Sequence, residues 1–455
     1  MEEYIEKLIS QVRCKKARPY IAEEIRDHIE EQMAEYKENG MSDEEAEKNA
    51  VLDMGDPVEV GISLDRIHKP KMGWNVIVIV GIISLLAILV QWAFASAINN
   101  YGLEQLSHMS YNDSMRKFLK SIFAGMLFMV VIYFVDYTVI AKYSKIIGLF
   151  IIGAGLYTVL FGTSFHGARY YIFNLTGISA TSFMMLYVPV YGAILYKYRG
   201  GGFGALLKCI AWLLIPTFIT VKIPSLGVAG ILLICMLVQL TIAACKGWFK
   251  VNKRAALIGL WTAFLLLPFV SLFGLYSLHL LADYQEARIR SWLLPNQEEG
   301  YVLSVIREYT KNVPMFGKSQ KDILGYLPDL NRDYIFTYII NSYGSLAGII
   351  ILSVLAVLLV FLFGAVMRQK NELGFTMGVG CGMILLMNAV INICCSIGVL
   401  PPSASFLPFF SAGGSNMILC YALIGIVLSI YRYKDVYPGN ISDRVVIKKK
   451  LDINL

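Results

Sequence analysis

The chain has 455 residues, of which 56% are hydrophobic and only 16% charged, and its mean hydropathy is +0.59. Soluble globular domains carry charge on about a quarter of their residues, so this composition excludes a water-soluble globule and indicates an integral membrane protein. The charge is unevenly distributed, since residues 1–70 hold 10 Lys+Arg and 18 Asp+Glu whereas the rest of the chain is basic. We therefore expect a small acidic soluble domain, residues 1–70, joined to a large apolar domain.

The acidic N-terminal segment reads as a set of short amphipathic helices. Its first helix places Ile5, Leu8, Ile9 and Val12 on one face, and the second can begin near Pro19. Gly40 ends that helix, and a capping box of Ser42 and Glu45 opens the next, which ends at Met54-Gly55. The segment resembles the small helical prefix found before permease-like membrane domains. It is too charged for a signal peptide, so we expect an uncleaved first span and a cytoplasmic regulatory or interaction module.

About ten apolar runs are long enough to cross a bilayer core of about 30 Å. This predicts an all-α, polytopic membrane domain over residues 71–435. The predicted spans are residues 75–96, 118–137, 146–162, 180–196, 204–221, 226–245, 256–280, 335–367, 373–397 and 412–431.

The distribution of basic residues predicts the orientation of these spans. With the N-terminus inside, the cytoplasmic connections are rich in Lys and Arg, and the outside loops are poorer. Arg116 and Lys117, at the outer end of the second span, disagree with this pattern. We expect both termini in the cytoplasm of a bacterial cell, with a basic tail over residues 436–455.

Cysteine and histidine usage points away from metal or redox chemistry. The eight cysteines form no CxxC pair, and seven lie in apolar runs, so we interpret them as small buried hydrophobes. Single histidines such as His108, His166 and His279 have no ligand partner at metal spacing. The sequence predicts no protein-bound metal site and no nucleic-acid partner.

One connection is unusually long. An outside segment of residues 281–332 separates the seventh and eighth spans and carries most polar groups on that face. Long loops of this kind are uncommon unless they are functional, so we look for the site there.

Three stretches, in compatible order and spacing, resemble the SEDS family of bacterial shape, elongation, division and sporulation proteins that includes FtsW and RodA. The most specific is LPPSASFLPFFSAGGSNMILCYALIGIVLSIYR (400–432), similar to the family's closing signature. The segments 288–319 and 325–348 resemble its long outer loop and the motif that opens the eighth span. The segment 136–172 resembles the second and third spans and the turn that follows them.

The resemblance implies polymerisation of lipid II, the lipid-linked disaccharide-peptide precursor, on the outer membrane face beside a transpeptidase, a class B penicillin-binding protein. In that inverting chemistry an acidic residue takes a proton from the attacking sugar hydroxyl while the lipid diphosphate leaves. Asp333, in NRDYIF, matches the family's catalytic aspartate. A carboxylate at the water-facing mouth of a helix bundle also suits a general base.

The leaving diphosphate needs compensating positive charge, from outer-face cations or from a divalent cation such as Mg or Mn. The candidate substrate-binding residues are Arg169, Arg288, Lys318, Arg332, Ser411, Gly413, Gly414 and Ser415. For the last four, a tight turn into the tenth span is the competing interpretation. We expect an apolar groove between helices to hold the polyprenyl tail, within a membrane whose lipids are also partners.

Several residues that are usual in the family are missing. A Glu-Glu pair after the aspartate is replaced by Asn341 and Ser342, a Glu and a Lys are missing from residues 179–187, and a Pro-Asp-Leu-Gly element reads Pro-Ser-Leu-Gly over 224–227. Charges within a bilayer are costly and normally kept for function. Three hypotheses therefore stay open: a divergent polymerase, a flippase of lipid-linked precursors, and a noncatalytic scaffold or regulator of a transpeptidase.

Overall fold

The computed structural model describes residues 1–100, 111–162, 171–172, 177–223, 225–277, 301–327 and 329–437. In these ranges the regular structure is helical, and β-pairing is limited to two isolated bridges. The all-α prediction is confirmed. The chain divides into two compact units, the first formed by residues 1–73, 365–375 and 430–437, and the second by residues 74–364 and 376–429.

The first unit contains four short helices, α1 (Glu2–Ser10), α2 (Arg18–Glu38), α3 (Asp43–Asp53) and α4 (Pro57–Ile67). The predicted capping box forms at the start of α3, where Ser42 Oγ accepts from Glu45 N and the Glu45 carboxylate accepts from Ser42 N. Gly40 follows α2 with φ of +90°, a conformation that favours glycine. Ile5, Leu8 and Val12 are buried as expected, whereas Ile9 is only half-buried.

Within the same unit, the N-terminal segment contacts residues 430–437. The Lys16 ammonium lies 4.5 Å from the centre of the Tyr433 ring, and the rings of Tyr20 and Tyr437 meet edge to face at 5.8 Å. The peptide N–H of Lys71 donates to the Arg432 carbonyl at 3.0 Å. These contacts join the prefix to the end of the chain's last described helix.

The second unit is built from long apolar helices. Its helices, with those that continue into the first unit, are α5 (Trp74–Asn100), α6 (Tyr111–Phe134), α7 (Tyr137–Lys142), α8 (Ser144–Phe161), α9 (Ala180–Met185), α10 (Tyr187–Lys197), α11 (Phe203–Lys222), α12 (Leu226–Cys245), α13 (Lys253–Ser277), α14 (Tyr301–Thr310), α15 (Ile335–Tyr343), α16 (Ser345–Met367), α17 (Glu372–Ser396) and α18 (Gly414–Arg432).

Eight helices within the described ranges are long and apolar enough to cross a membrane: α5, α6, α8, α11, α12, α16, α17 and α18. The pair α9 and α10 and the 25-residue α13 occupy two further predicted spans. This agrees with the prediction of about ten spans, and the chain is a multi-pass membrane protein.

The run 335–367 is not one helix, as the sequence suggested, because it breaks at Gly344. This residue has φ of +90°, and a Cβ built there would lie 2.7 Å from the Met315 carbonyl oxygen. The N–H groups freed by the break donate to the preceding loop, from Ser345 to the Pro314 carbonyl at 3.0 Å and from Leu346 to the Met315 carbonyl at 3.1 Å. Inside a membrane protein such irregular backbone is tolerated where protein groups satisfy it.

Candidate functional site around Asp333

Asp333 lies in a tight turn immediately before α15. Asp329 adopts φ of +51° there, and its carbonyl accepts from the N–H of Arg332 at 2.9 Å and of Asp333 at 3.0 Å. Leu330 and Tyr334 are buried on either side, whereas Asp333 is half-buried. The flanking side chains therefore fix the turn in the protein while the carboxylate retains access to its surroundings.

A buried amide on α17 holds the backbone of this turn. Asn392 is 1% exposed, and its Nδ2 donates to the carbonyl of Asp333 at 2.8 Å and to that of Ser405 at 3.1 Å. Ser405 belongs to the Pro-rich segment 400–411. One side chain thus joins the aspartate turn to that segment.

A second buried amide, on α5, repeats the arrangement. Gln91 is 3% exposed, and its Nε2 donates to the Asn331 carbonyl at 3.0 Å and to the Phe410 carbonyl at 2.7 Å. The Asn331 carbonyl also accepts from the Ala412 N–H at 3.0 Å. We call Gln91 and Asn392 the amide clamp, because each bridges the aspartate turn and the segment 400–412. Buried hydrogen bonds such as those donated by these two amide groups help to preorganise a site.

The two serines of the Ser-x-Gly-Gly-Ser element form hydrogen bonds with backbone groups of the protein. Ser411 Oγ is buried and accepts from the Leu407 N–H at 2.9 Å. Ser415 Oγ donates to the Gly177 carbonyl and accepts from the Ser179 N–H, both at 2.8 Å. Both serine hydroxyls are therefore engaged in holding segments around the start of α18.

The two glycines of this element, Gly413 and Gly414, leave space for their neighbours. A Cβ on Gly413 would lie 2.9 Å from Asn416 Nδ2, and one on Gly414 would lie 3.1 Å from Ser121 Oγ. These geometries support the turn interpretation.

The predicted cations differ in how they are held. Lys318 forms a 2.6 Å ion pair with Asp322, so its charge is already compensated. Among the described residues, the half-exposed Arg332 has one ion-pair contact, a long one of 3.5 Å with the half-exposed Asp329. Arg307, another cation of the outer loop, donates from Nε to the Gly398 carbonyl at 2.9 Å. Among the described candidates, Arg332 is the best placed to meet an anion beside Asp333.

Asn341, one of the two positions where the family resemblance leads us to expect a Glu-Glu pair, organises the outer loop. Its Nδ2 donates to the carbonyls of Tyr309 at 3.2 Å and Lys321 at 3.0 Å, and its Oδ1 accepts from the Ile323 N–H at 3.2 Å. The side chain is fully buried. An ionised carboxylate has no donor, so it could not form the first two bonds. Asn341 therefore holds the outer loop by neutral hydrogen bonds and does not supply a charge.

Tyr309, at the end of α14, contacts a second aromatic residue of the outer loop. Its ring lies 5.4 Å from that of Tyr326. Burial, with a smaller effect of the neighbouring Tyr326, raises the pKa of the Tyr309 phenol above its usual value. It is therefore neutral at physiological pH and available only for neutral hydrogen bonding.

Two predicted binding residues, Arg169 and Arg288, lie outside the described residues. In the parts of the chain that are described, no group of three or more His, Cys, Asp or Glu side chains is arranged to hold a metal ion. The described residues therefore show no cluster of side chains that would hold Mg or Mn.

Sequence reasoning missed the amide clamp, although a signal was present. Gln91 lies within a predicted span that is mostly apolar, and Asn388 and Asn392 lie within another. Polar residues in membrane helices are expensive and point to functional sites. What the sequence could not indicate was that two of these amides reach the same turn.

Comparison with known proteins agrees with this fold. The family described as cell cycle protein, FtsW/RodA/SpoVE, matches residues 73–436. A probable peptidoglycan glycosyltransferase FtsW of Enterococcus hirae is 27% identical over 252 residues, which are 51% of this chain and 64% of that protein. Stage V sporulation protein E of Bacillus subtilis is 29% identical over 176 residues, 37% of this chain and 48% of that protein.

A solved structure gives a likeness of fold. A chain from a structure titled as the coordination of polymerization and crosslinking by a peptidoglycan synthase complex has a TM-score of 0.62 and 19% identity, and the match covers 81% of this chain and 99% of that chain. The chain spans about half to two thirds of the length of these two curated relatives. With a family match that extends through nearly all of the membrane domain, the chain belongs to the FtsW/RodA/SpoVE family.

Proposed function

We propose that the protein is a peptidoglycan glycosyltransferase that polymerises lipid II, with Asp333 as the general base. The observation that carries the proposal is the amide clamp, which fixes the backbone of the Asp333 turn at two points while Asp333 itself is only half-buried. A general base has to be held within hydrogen-bond reach of the proton that it removes. The names of the curated relatives support the same activity.

In the proposed reaction, Asp333 removes the proton of the acceptor sugar hydroxyl as its oxygen attacks the anomeric carbon of the donor. The new glycosidic C–O bond forms while the bond from that carbon to the diphosphate oxygen breaks, and the anomeric configuration inverts. The lipid diphosphate leaves with the electron pair. Arg332, next to Asp333 and weakly paired, is the proposed source of positive charge for that group.

The test is polymerisation of labelled lipid II by the purified full-length chain. We expect Asp333→Asn to lower the rate by about 10²- to 10⁴-fold, the usual contribution of general acid–base catalysis. Asp329→Asn is the matched control, since it changes a carboxylate in the same turn and Asn tolerates a positive φ. We expect it to retain most activity.

The opposite results are equally informative. Polymer formation by Asp333→Asn at the wild-type rate would refute the assignment of the base. Absence of polymer from the wild-type chain, even with a transpeptidase present, would refute the activity. Precursor translocation in vesicles that is unaffected by Asp333→Asn would then favour the flippase, and rescue of a wall-assembly defect by this variant would favour the scaffold.

Two further parts of the proposal concern the setting. A transpeptidase, a class B penicillin-binding protein, is the proposed partner, supported by the similarity to a chain of a synthase complex. The basic inner loops support an orientation with both termini in the cytoplasm and Asp333 outside. Cysteine labelling from either side of the membrane, with cysteines placed at the exposed Lys370 and Gln320, tests that orientation.

A further inference from the structure

An apolar groove lies between α11, α12 and α13. Its volume is about 450 Å³, which is within the range of small-molecule sites. Along α11 it is lined from Phe203 to Leu214, which corresponds to about 17 Å of helix, or roughly the depth of one membrane leaflet. Apart from Asn252, its lining side chains are apolar.

This groove is remote from the candidate catalytic site. The N-terminal end of α12 lies beside the Pro-rich segment, since a Cβ on Gly227 would lie 2.9 Å from Ser403 Cβ. The groove contacts the middle and the second half of α12, at Leu233, Leu237 and Leu240. Leu237 is ten residues beyond Gly227, or about 15 Å along the helix.

The end of the groove next to the α12–α13 connection is strongly basic. The exposed residues Lys250, Lys253 and Arg254 surround Val251 and Asn252, which line the groove. Residues 203–282 contain six Lys or Arg and not one Asp or Glu. The groove therefore combines an apolar channel with a positively charged mouth.

The basic connection is held in a defined position. The Gly200 N–H donates to the Trp248 carbonyl at 2.7 Å, and the Lys250 N–H donates to the Gly201 carbonyl at 2.8 Å. Trp248 is 1% exposed and so anchors the connection in the protein. Asn252 Oδ1 accepts from the Arg254 N–H at 3.1 Å and begins α13. The backbone that carries Lys250, Lys253 and Arg254 is thus held in place at the mouth of the groove.

We propose that this groove binds an acyl chain of an anionic glycerophospholipid, whose phosphate contacts Lys250, Lys253 and Arg254. The channel accepts the apolar chain, and the basic mouth selects a net negative headgroup over a zwitterionic one. The site is separate from the Asp333 chemistry and takes a membrane lipid as a resident ligand. Basic groups near a membrane surface each attract anionic lipid, so three together predict a selectivity of about tenfold or more.

The test is native mass spectrometry of the full-length chain released from detergent with equal amounts of phosphatidylglycerol and phosphatidylethanolamine. We expect one retained phosphatidylglycerol, favoured about tenfold over phosphatidylethanolamine. Gly259→Phe fills the groove, and a Cβ at Gly259 has no atom within 4 Å, so the variant can fold. We expect it to reduce retention about tenfold. Gly153→Phe on α8, where a Cβ also has open space, is the matched control and should retain the lipid.

A charge variant provides the second arm. Replacing Lys250, Lys253 and Arg254 by Gln should reduce the headgroup preference to within about twofold, whereas Arg368→Gln with Lys370→Gln should preserve it. Equal retention of both phospholipids by the wild type would overturn the proposal. So would unchanged retention by Gly259→Phe, or displacement of phosphatidylglycerol by an equimolar polyprenyl phosphate.

Discussion

Replacement of Asn392 by leucine tests whether the amide clamp positions Asp333. The change keeps a similar side-chain volume and removes the two hydrogen bonds to the carbonyls of Asp333 and Ser405. Each such bond contributes about 0.5–1.5 kcal/mol net, so about 1–3 kcal/mol of positioning energy is lost. If this energy holds the carboxylate in its productive geometry, the turnover rate falls about 5- to 150-fold.

The effect on stability should be smaller than the effect on rate. Asn392 Oδ1 has no hydrogen-bond partner among the described residues, so leucine also removes a buried acceptor that is uncompensated there. We therefore expect polymerisation of lipid II at saturating substrate to fall, with little change in KM and a modest change in the apparent unfolding midpoint in detergent.

The same helix provides a matched control. Asn388 is fully buried, its Nδ2 donates to the Ile384 carbonyl at 2.9 Å, and its Oδ1 is likewise without a partner. It does not contact the Asp333 turn, so Asn388→Leu should retain activity. Equal losses in Asn388→Leu and Asn392→Leu would show that any buried amide matters equally, and would refute positioning through the turn.

Three further changes probe the rest of the chain. Asn341→Leu removes three hydrogen bonds of the outer loop, so trypsin should cleave at Lys321 several-fold faster; an unchanged rate would contradict the anchoring role. Gly344→Ala should cost about 1–3 kcal/mol in detergent unfolding because of its positive φ, whereas Gly364→Ala, which has open space in α16, should be neutral or stabilising. The Arg26 hydrogen bond lowers the pKa of Glu2, so the pair stabilises the fold at neutral pH and this contribution disappears as acid protonates the carboxylate. Both side chains are substantially exposed, so Glu2→Gln should raise amide exchange in α1 less than about fivefold at pH 7 and not at all in acid; a larger effect would contradict a surface ion pair.

Elements that depend on local chemistry were predictable from the sequence. The capping box at Ser42, the glycine stop at Gly40 and most membrane spans follow from residue spacing and hydropathy, because these features need only neighbouring residues. Asp333 could be singled out because the motif around it resembles a family signature. Whether it acts as the base remains a prediction.

Other features depended on contacts between distant residues and were not predictable. The break at Gly344 arises because the backbone approaches the Met315 carbonyl, 29 positions earlier in the chain, and hydropathy does not register such an approach. Gln91 lies 240 residues before Asn331, so no local pattern could pair them. Likewise, the role of Asn341 follows from its three hydrogen-bond partners in the outer loop and not from its neighbours in the sequence.

The contacts between the prefix and residues 430–437 bear on how such proteins can be divided or recombined. A cut at the compositional boundary near Pro70 would separate Lys16 and Tyr20 from their partners, Tyr433 and Tyr437, which stay with the membrane domain. Lys71 lies beyond the cut and would keep its ion pair with Asp435. The prefix is therefore not an independent appendage that gene fusion can exchange freely, because any replacement would have to recognise the same closing turn of the chain.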